Sequence, residues 1–233
     1  MIYVTGDLHG DLRRFSSSPF RALKKDDTLL VCGDFGFLWQ GGAEEEKALD
    51  FIAKRNYQVA FVEGTHDNLD LVEAFPREDW NGGQVHRIRP NLVHLIRGEV
   101  FTLEGMTFLA MGGGSSDDNA PLEKGINWWP GMLPREEELS GFRQKMEEHQ
   151  RKLDFILSHQ APTNIDACVN GRVCDVTLLT AFLDELQRSA SFEKWYFGRY
   201  HQNKMIPPAY QGLYDQVLLA GGEKKKWRFL RKK

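Results

Sequence analysis

The sequence predicts an α/β fold on parallel strands, from three observations. Short apolar runs recur early: IYVTGD (2–7), TLLVCGD (28–34) and QVAFVEG (58–64). Between the second and third lies EEEKALDFIAKR (44–55), acidic at its start and basic at its end, as a helix dipole favours. Strand–helix–strand alternation of this kind implies parallel strands joined by crossovers.

The middle of the chain adds antiparallel members. EVFTLEGMTFLAMGGG (99–114) reads as two strands joined at Glu104-Gly105, a hairpin signal. LPREEELSGFRQKMEEHQRK (133–152) is helical: Pro134 suits the first turn, acids follow, bases close it, and Leu139, Phe142 and Met146 share one face. LDFILSHQAP (153–162) is a strand running into a loop. Leu179, Phe182, Leu183 and Leu186 have helical spacing. KWYFGRYHQN (194–203) is again strand then polar loop, and GLYDQVLLA (212–220) reads as a final strand. With no internal repeat and no linker, one domain over 1–222 is expected, then a basic tail over 223–233. Seven of residues 224–233 are Lys or Arg. Two readings of the tail stand: a solvated, frayed end, or a nucleic-acid or nucleotide contact with Trp227 for stacking.

Composition excludes several classes. A net charge of −3 gives no global field toward nucleic acid. No apolar run is long enough to span a bilayer, so no membrane contact is expected. The N-terminus lacks a basic n-region and cleavage site, and the three cysteines, Cys32, Cys168 and Cys174, form neither a disulfide framework nor a CxxC pair. A cytoplasmic location is the simplest reading, and no feature fixes an oligomeric state.

Chemistry collects where the strands end. Five apolar runs each lead into a polar cluster: Asp7-Leu8-His9, Asp34, Thr65-His66-Asp67, Ser158-His159 and Arg199-Tyr200-His201. In open α/β sheets, ligands bind beyond the carboxyl ends of strands. Asp and His together suit divalent Mn, Fe, Zn or Ni.

With these clusters in order, the sequence resembles the calcineurin-like metallophosphoesterase superfamily. The family pattern GDxHG, GDxx, GNH(D/E), (G/S)Hxx(P), GHxH is met here by GDLHG (6–10), GDFG (33–36), GTHD (64–67), SHQAP (158–162) and GRYH (198–201). The WNGGQVHRIRPNLVHL segment (80–95) is similar to that of a small bacterial and phage branch. The resemblance implies a two-sheet sandwich flanked by helices, a four-layer fold, with one or two divalent ions (Mn²⁺, Fe²⁺, Zn²⁺ or Ni²⁺) at one edge and a phosphoester substrate. It places Asp7, His9 and His201 on the first metal and Asp34 between both. Thr65, His159 and Arg199 fall where the family has the second metal's Asn, His and His. His66 matches the proton-donating His, and Asp67 its carboxylate neighbour. GDFGFLW lacks the GDxxDRG arginine of the phosphoprotein phosphatase branch.

The departures decide what kind of enzyme is expected. Thr65 offers a neutral hydroxyl in place of a carboxamide oxygen. Arg199 is the graver change, because guanidinium has no lone pair to donate and stays charged. Three readings follow. Arg199 replaces the second metal and clamps phosphate; or it swings away and a weak second metal binds through Asp34 and His159; or catalysis is lost and the pocket only binds a phosphate ligand. The rival from another class is a nucleic-acid-binding protein using the tail. His86, His94 and His149 read as surface or satisfied histidines. Trp128 and Trp129 read as packing residues rather than a base-binding wall, and MGGGSSDD (111–118) as either a substrate-approaching loop or a plain turn.

Overall fold

A computed structural model describes residues 1–115, 123–172 and 175–222. The expected tail contact and Cys174 lie outside the described residues. In chain order the strands are β1 (Ile2–Thr5), β2 (Thr28–Val31), β3 (Gln58–Phe61), β4 (Arg77–Trp80), β5 (Gly83–Arg89), β6 (Leu92–Leu95), β7 (Val100–Leu103), β8 (Met106–Met111), β9 (Phe155–Ser158), β10 (Lys194–Phe197), β11 (Lys204–Ile206), β12 (Tyr210–Gly212) and β13 (Leu218–Leu219). The helices are α1 (Ser18–Arg21), α2 (Ala43–Ala53), α3 (Leu69–Val72), α4 (Glu136–Glu148), α5 (Thr163–Asn170) and α6 (Leu178–Ser189).

These strands form two sheets, ordered β13-β1-β2-β3-β6-β5-β4 and β11-β12-β10-β9-β8-β7. β1, β2, β3 and β6 run parallel, as do β12, β10, β9 and β8, with antiparallel strands at the edges. The period of two along each strand sorts the apolar residues. Val4, Leu30, Ala60 and Val93 of the first sheet meet Phe108, Ala110, Phe155 and Tyr196 of the second in the central core. Their neighbours Leu29, Val31, Val59 and Phe61 face outward onto Leu49 and Ile52 of α2 and onto Phe15 and Phe20. On the far side Leu109, Ile156, Trp195 and Phe197 pack on Leu139, Phe142 and Met146 of α4 and on Leu179, Phe182 and Leu183 of α6. The result is the expected four-layer sandwich: helices, sheet, sheet, helices. Near-continuous apolar runs, rather than alternating ones, follow from both faces of each parallel sheet being covered.

Two expectations need correction. GLYDQVLLA is not one strand: Gly212 ends β12 in the second sheet, and Leu218 and Leu219 form β13 in the first. Between them the chain crosses from sheet to sheet over the fully buried Leu213, with Gln216 O accepting from Thr5 Oγ1 at 2.8 Å. Second, residues 77–89 form a β4–β5 hairpin that the strand reading left out, turning at Asn81-Gly82 with φ of 50° and 92°. Among the described residues, no helix is long and apolar enough to cross a membrane.

Candidate metal centre

The loops after β1, β2, β3, β9 and β10 converge at one edge of the sandwich. Asp7, 1% exposed, follows β1. Its Oδ1 accepts the Arg199 backbone N–H at 3.0 Å and lies 3.5 Å from His159 Nδ1; its Oδ2 lies 3.7 Å from His201 Nε2. His9 Nε2 is 2.8 Å from His201 Nε2 and 3.7 Å from Asp34 Oδ2. Asp34, after β2, reaches the third loop: Oδ1 accepts the His66 N–H at 2.8 Å and Oδ2 lies 2.8 Å from His66 Nδ1. His159, fully buried after β9, has Nδ1 3.1 Å from Cys32 O and Nε2 3.4 Å from Asp34 Oδ1. Donation from Nδ1 to that carbonyl leaves Nε2 facing Asp34, the usual means of orienting a ligating histidine, and a cation bound there would take the place of the Nε2 proton.

The backbone at this edge is unusual. His9, Asp34, Arg199 and His201 all have positive φ, at 47°, 44°, 70° and 49°. Each such residue costs about 1–3 kcal/mol and persists where its surroundings over-determine it. At Gly198 the reason for the turn's tightness is visible: a Cβ there would lie 2.2 Å from Cys32 O and 2.3 Å from Asp7 Oδ1.

Electrostatics follow from the crowding. Burial penalises the Asp34 carboxylate, but His159 and His66 outweigh it and hold the group below the ordinary carboxylate range. Burial opposes protonation of His159, yet Asp34 and Asp7 push it up to about 9. His9 is lowered, chiefly by burial.

The residues fit a divalent cation. Asp7 Oδ2 and His159 Nε2 are buried with no hydrogen-bond partner among the described residues. Three overlapping sets, Asp7–His9–His201, His9–Asp34–His66 and Asp7–Asp34–His159, have ligand atoms all within 4.8 Å of one another. Buried polar atoms of this kind need a partner to offset their desolvation, and a cation held between the carboxylates and the imidazole supplies one.

The remaining expected residues fall around this cluster. Thr65 is buried, with Oγ1 3.3 Å from His66 Nδ1. The Arg199 guanidinium and the Thr65 side chain both border Gly114, where a Cβ would lie 3.0 Å from Arg199 Nη1, 3.1 Å from Thr65 Cγ2 and 3.4 Å from Gln160 Oε1. MGGGSSDD therefore does approach the site at Gly114, while its residues from 116 on lie outside the described ones. Asp67 is fully buried and takes three backbone N–H bonds, from Phe35 at 3.1 Å, Gly36 at 2.8 Å and Gly64 at 2.8 Å. Burial and the nearby Asp34 charge push it up to about 6 despite those bonds. Its carboxylate laces the second loop to the third.

Three features escaped the sequence reading. Glu63, just before the GTHD loop, is buried and accepts from Arg97 Nε at 2.7 Å and from His94 Nε2 at 2.9 Å. Behind them His86 Nδ1 meets His94 Nδ1 at 3.1 Å, and Arg77 Nε donates to His86 Nε2 at 3.2 Å. These histidines are indeed satisfied, but within a single donor chain. Tyr200, between Arg199 and His201, donates to Asp166 Oδ2 at 2.7 Å and accepts from the Ala161 N–H at 3.2 Å. Trp39 lies beside His66, ring centroids 6.0 Å apart, and is braced edge-to-face on buried Trp129 at 4.6 Å. A polar residue inside an apolar run is the signal that could have exposed Glu63, because a buried carboxylate demands partners.

Comparison with known proteins adds context. A family model described as calcineurin-like phosphoesterase matches residues 1–200. Comparison with curated protein sequences gave no match. Among solved structures the chain is similar to a phosphopantetheinyl hydrolase (PptH) from Mycobacterium tuberculosis, at 14% identity and a TM-score of 0.45 over 92% of this chain and 89% of that one.

Proposed function

The chain belongs to the calcineurin-like phosphoesterase family, and from that premise we propose that it hydrolyses a phosphomonoester or phosphodiester at the Asp7–His201 edge, with a weakened second cation site. The observation that carries this reading is the pair of buried ligand atoms without a hydrogen bond among the described residues, Asp7 Oδ2 and His159 Nε2, in the cluster where His159 lies against both Asp7 and Asp34. Asp7, His9 and His201 would hold a first divalent ion and His159 with Thr65 a second, with Asp34 available to both. When bound, such ions neutralise phosphate charge and lower the pKa of an attacking water.

The chain's own groups then divide the work. His66, oriented by Asp34 through Nδ1, presents its other ring edge to the leaving oxygen and supplies the proton as the P–O bond breaks. Arg199 offers fixed positive charge and a fork of donors to the non-bridging phosphate oxygens, next to Thr65. Asp67 acts through the backbone, fixing the loop that carries His66.

The test is metal content and turnover of an aryl phosphodiester, measured together with Mn²⁺ as the first ion tried. Wild type is expected to hold at least one divalent ion and to turn over. Asp7→Ala should lose about 100-fold or more in metal affinity, and activity with it, since an anionic ligand is removed. Full metal and full activity in Asp7→Ala would sink the site assignment. Tight metal binding without turnover on any phosphoester would instead favour a phosphate-binding protein of this fold.

A further inference from the structure

A groove of about 400 Å³ opens beside the site, lined by His9 and His66 and by Trp39, Gln40 and Glu45. A proton donor sits on the oxygen that leaves. Whatever carbon skeleton that oxygen belongs to must extend past His66, and this groove is the space that continues from His66. Trp39 lines it too, its ring centroid 6.0 Å from that of His66.

Trp39 is built as a rigid surface. Its backbone N–H donates to Glu45 Oε2 at 3.0 Å and its backbone carbonyl accepts from Asn68 Nδ2 at 2.9 Å. Trp129 braces the indole from the interior. Only half-buried itself, Trp39 presents an ordered aromatic surface at little entropic cost to a ligand. Glu45 turns its carboxylate oxygens onto the backbone N–H groups of Trp39, Gln40 and Gly41, which solvate its charge and hold the turn. Exposed Gln40 adds an amide that can meet polar substituents on a ring.

The geometry points to a leaving-group subsite on Trp39 that takes a planar, aromatic alcohol such as an aryl alcohol or a nucleoside, in preference to a saturated one. This assignment rests on the phosphoesterase reading above. It makes Trp39 a specificity-determining residue.

The test compares benzyl phosphate with cyclohexylmethyl phosphate, and the methyl diesters of both. These alcohols are matched in size and are both primary, but only one is flat. The metal-loaded wild type should favour the benzyl ester in kcat/KM by about tenfold, the worth of one aromatic contact. Trp39→Leu keeps apolar bulk against Trp129 and should bring the ratio near one. Trp39→Phe should keep most of it, and a thermal melt of each variant shows that it is folded. A wild-type ratio near one, or a ratio that Trp39→Leu leaves intact, overturns the subsite while leaving the phosphoesterase reading in place. No hydrolysis of the four esters while the aryl phosphodiester is still turned over overturns the subsite alone, and no turnover of any of the five overturns both.

Discussion

Guanidinium in place of imidazole changes both the ligand count and the charge of a site. On the proposed assignment, Arg199 withholds a lone pair from the second cation and brings a fixed positive charge instead, its guanidinium bordering Gly114 as Thr65 does. A unit charge about 4 Å away costs a cation roughly 4 kcal/mol per charge at an effective dielectric near 20, before side-chain motion relieves it. Thr65 exchanges one neutral oxygen for another and should matter less. Titration of Mn²⁺ or Zn²⁺ into Arg199→His, Thr65→Asn and the double variant should therefore show second-ion occupancy rising strongly, slightly and most, respectively. Two tight ions in the unaltered protein would show that Arg199 does not exclude the second. Tyr200 gives a second expectation at this scale. Its hydroxyl ties the turn carrying Arg199 and His201, both at positive φ, to Asp166 and to the Ala161 N–H. Among the described residues, Tyr200→Phe leaves buried Asp166 with the Asn170 amide alone, on its other oxygen. A loss of about 1–3 kcal/mol in denaturant unfolding follows from the stranded carboxylate. A lower affinity for the first ion should accompany it, as His201 loosens. A variant with unchanged metal affinity would mean that the turn holds its shape without the tether.

At the scale of elements, the loop after β3 is held from behind as well as from the site. Glu63 and Arg97 form a buried pair with His94, and Gly113 N–H closes on Glu63 O at 2.8 Å. The nearby cation and the His94 bond, against the cost of burial, bring Glu63 down to about 2. Removing one member of such a pair strands the other, at a cost of about 3–5 kcal/mol. Arg97→Met should lower the urea midpoint by that measure, and with it the fraction of protein able to bind metal. A near-neutral effect would show that water replaces the guanidinium at no cost. This device was only partly legible in the sequence. Strand ends were readable because apolar runs stop at Gly-Asp or Ser-His, and the five loops do meet. Helices α4 and α6 were readable from Leu139, Phe142, Met146 and from Leu179, Phe182, Leu183, Leu186, which are all buried. The Asn81-Gly82 hairpin carried the strongest short-range turn signal and was overlooked, because its strand β4 is exposed and charged rather than apolar. The sheet switch at Leu213 was invisible: a buried leucine between two short strands has the same pattern whether the chain stays in one sheet or crosses to another. Asp67 was placed beside the chemistry by its neighbour His66, yet its direction, into three backbone N–H groups, needed coordinates.

For the whole molecule, the buried ionisable groups set how stability responds to pH, and the sign can be worked out group by group with metal chelated. His86 is pressed down to about 4 from its ordinary 6.5, first by burial and then by His94 and Arg77. Arg77 donates to its Nε2, so Nδ1 carries the proton given to His94, whose Nε2–H reaches Glu63; a further proton on His86 would leave two donors facing each other. Between pH 6.5 and about 4 the unfolded chain takes a proton that native His86 refuses, and stability falls as pH falls. Asp67 acts the other way. Raised to about 6 from 3.8, it binds its proton first in the native state, so its contribution is lost as pH rises through that interval. The two partly cancel above pH 4. Below pH 4.5 Glu63, lowered to about 2, adds a loss of stability that Asp67 no longer offsets. On the alkaline side His159, raised to about 9, supplies stability in full below 6.5 and loses it as pH rises through 9. Urea midpoints in excess chelator should therefore form a plateau in the mildly acidic range, fall steeply below about pH 4.5, and decline again toward pH 9. His86→Gln removes only the titrating ring. It should raise the midpoint at pH 4.5 relative to that at pH 7, compared with wild type. If His86→Gln leaves that difference unchanged, the proton is not kept off His86, and the one-directional chain from Arg77 to Glu63 is not how the interior is wired.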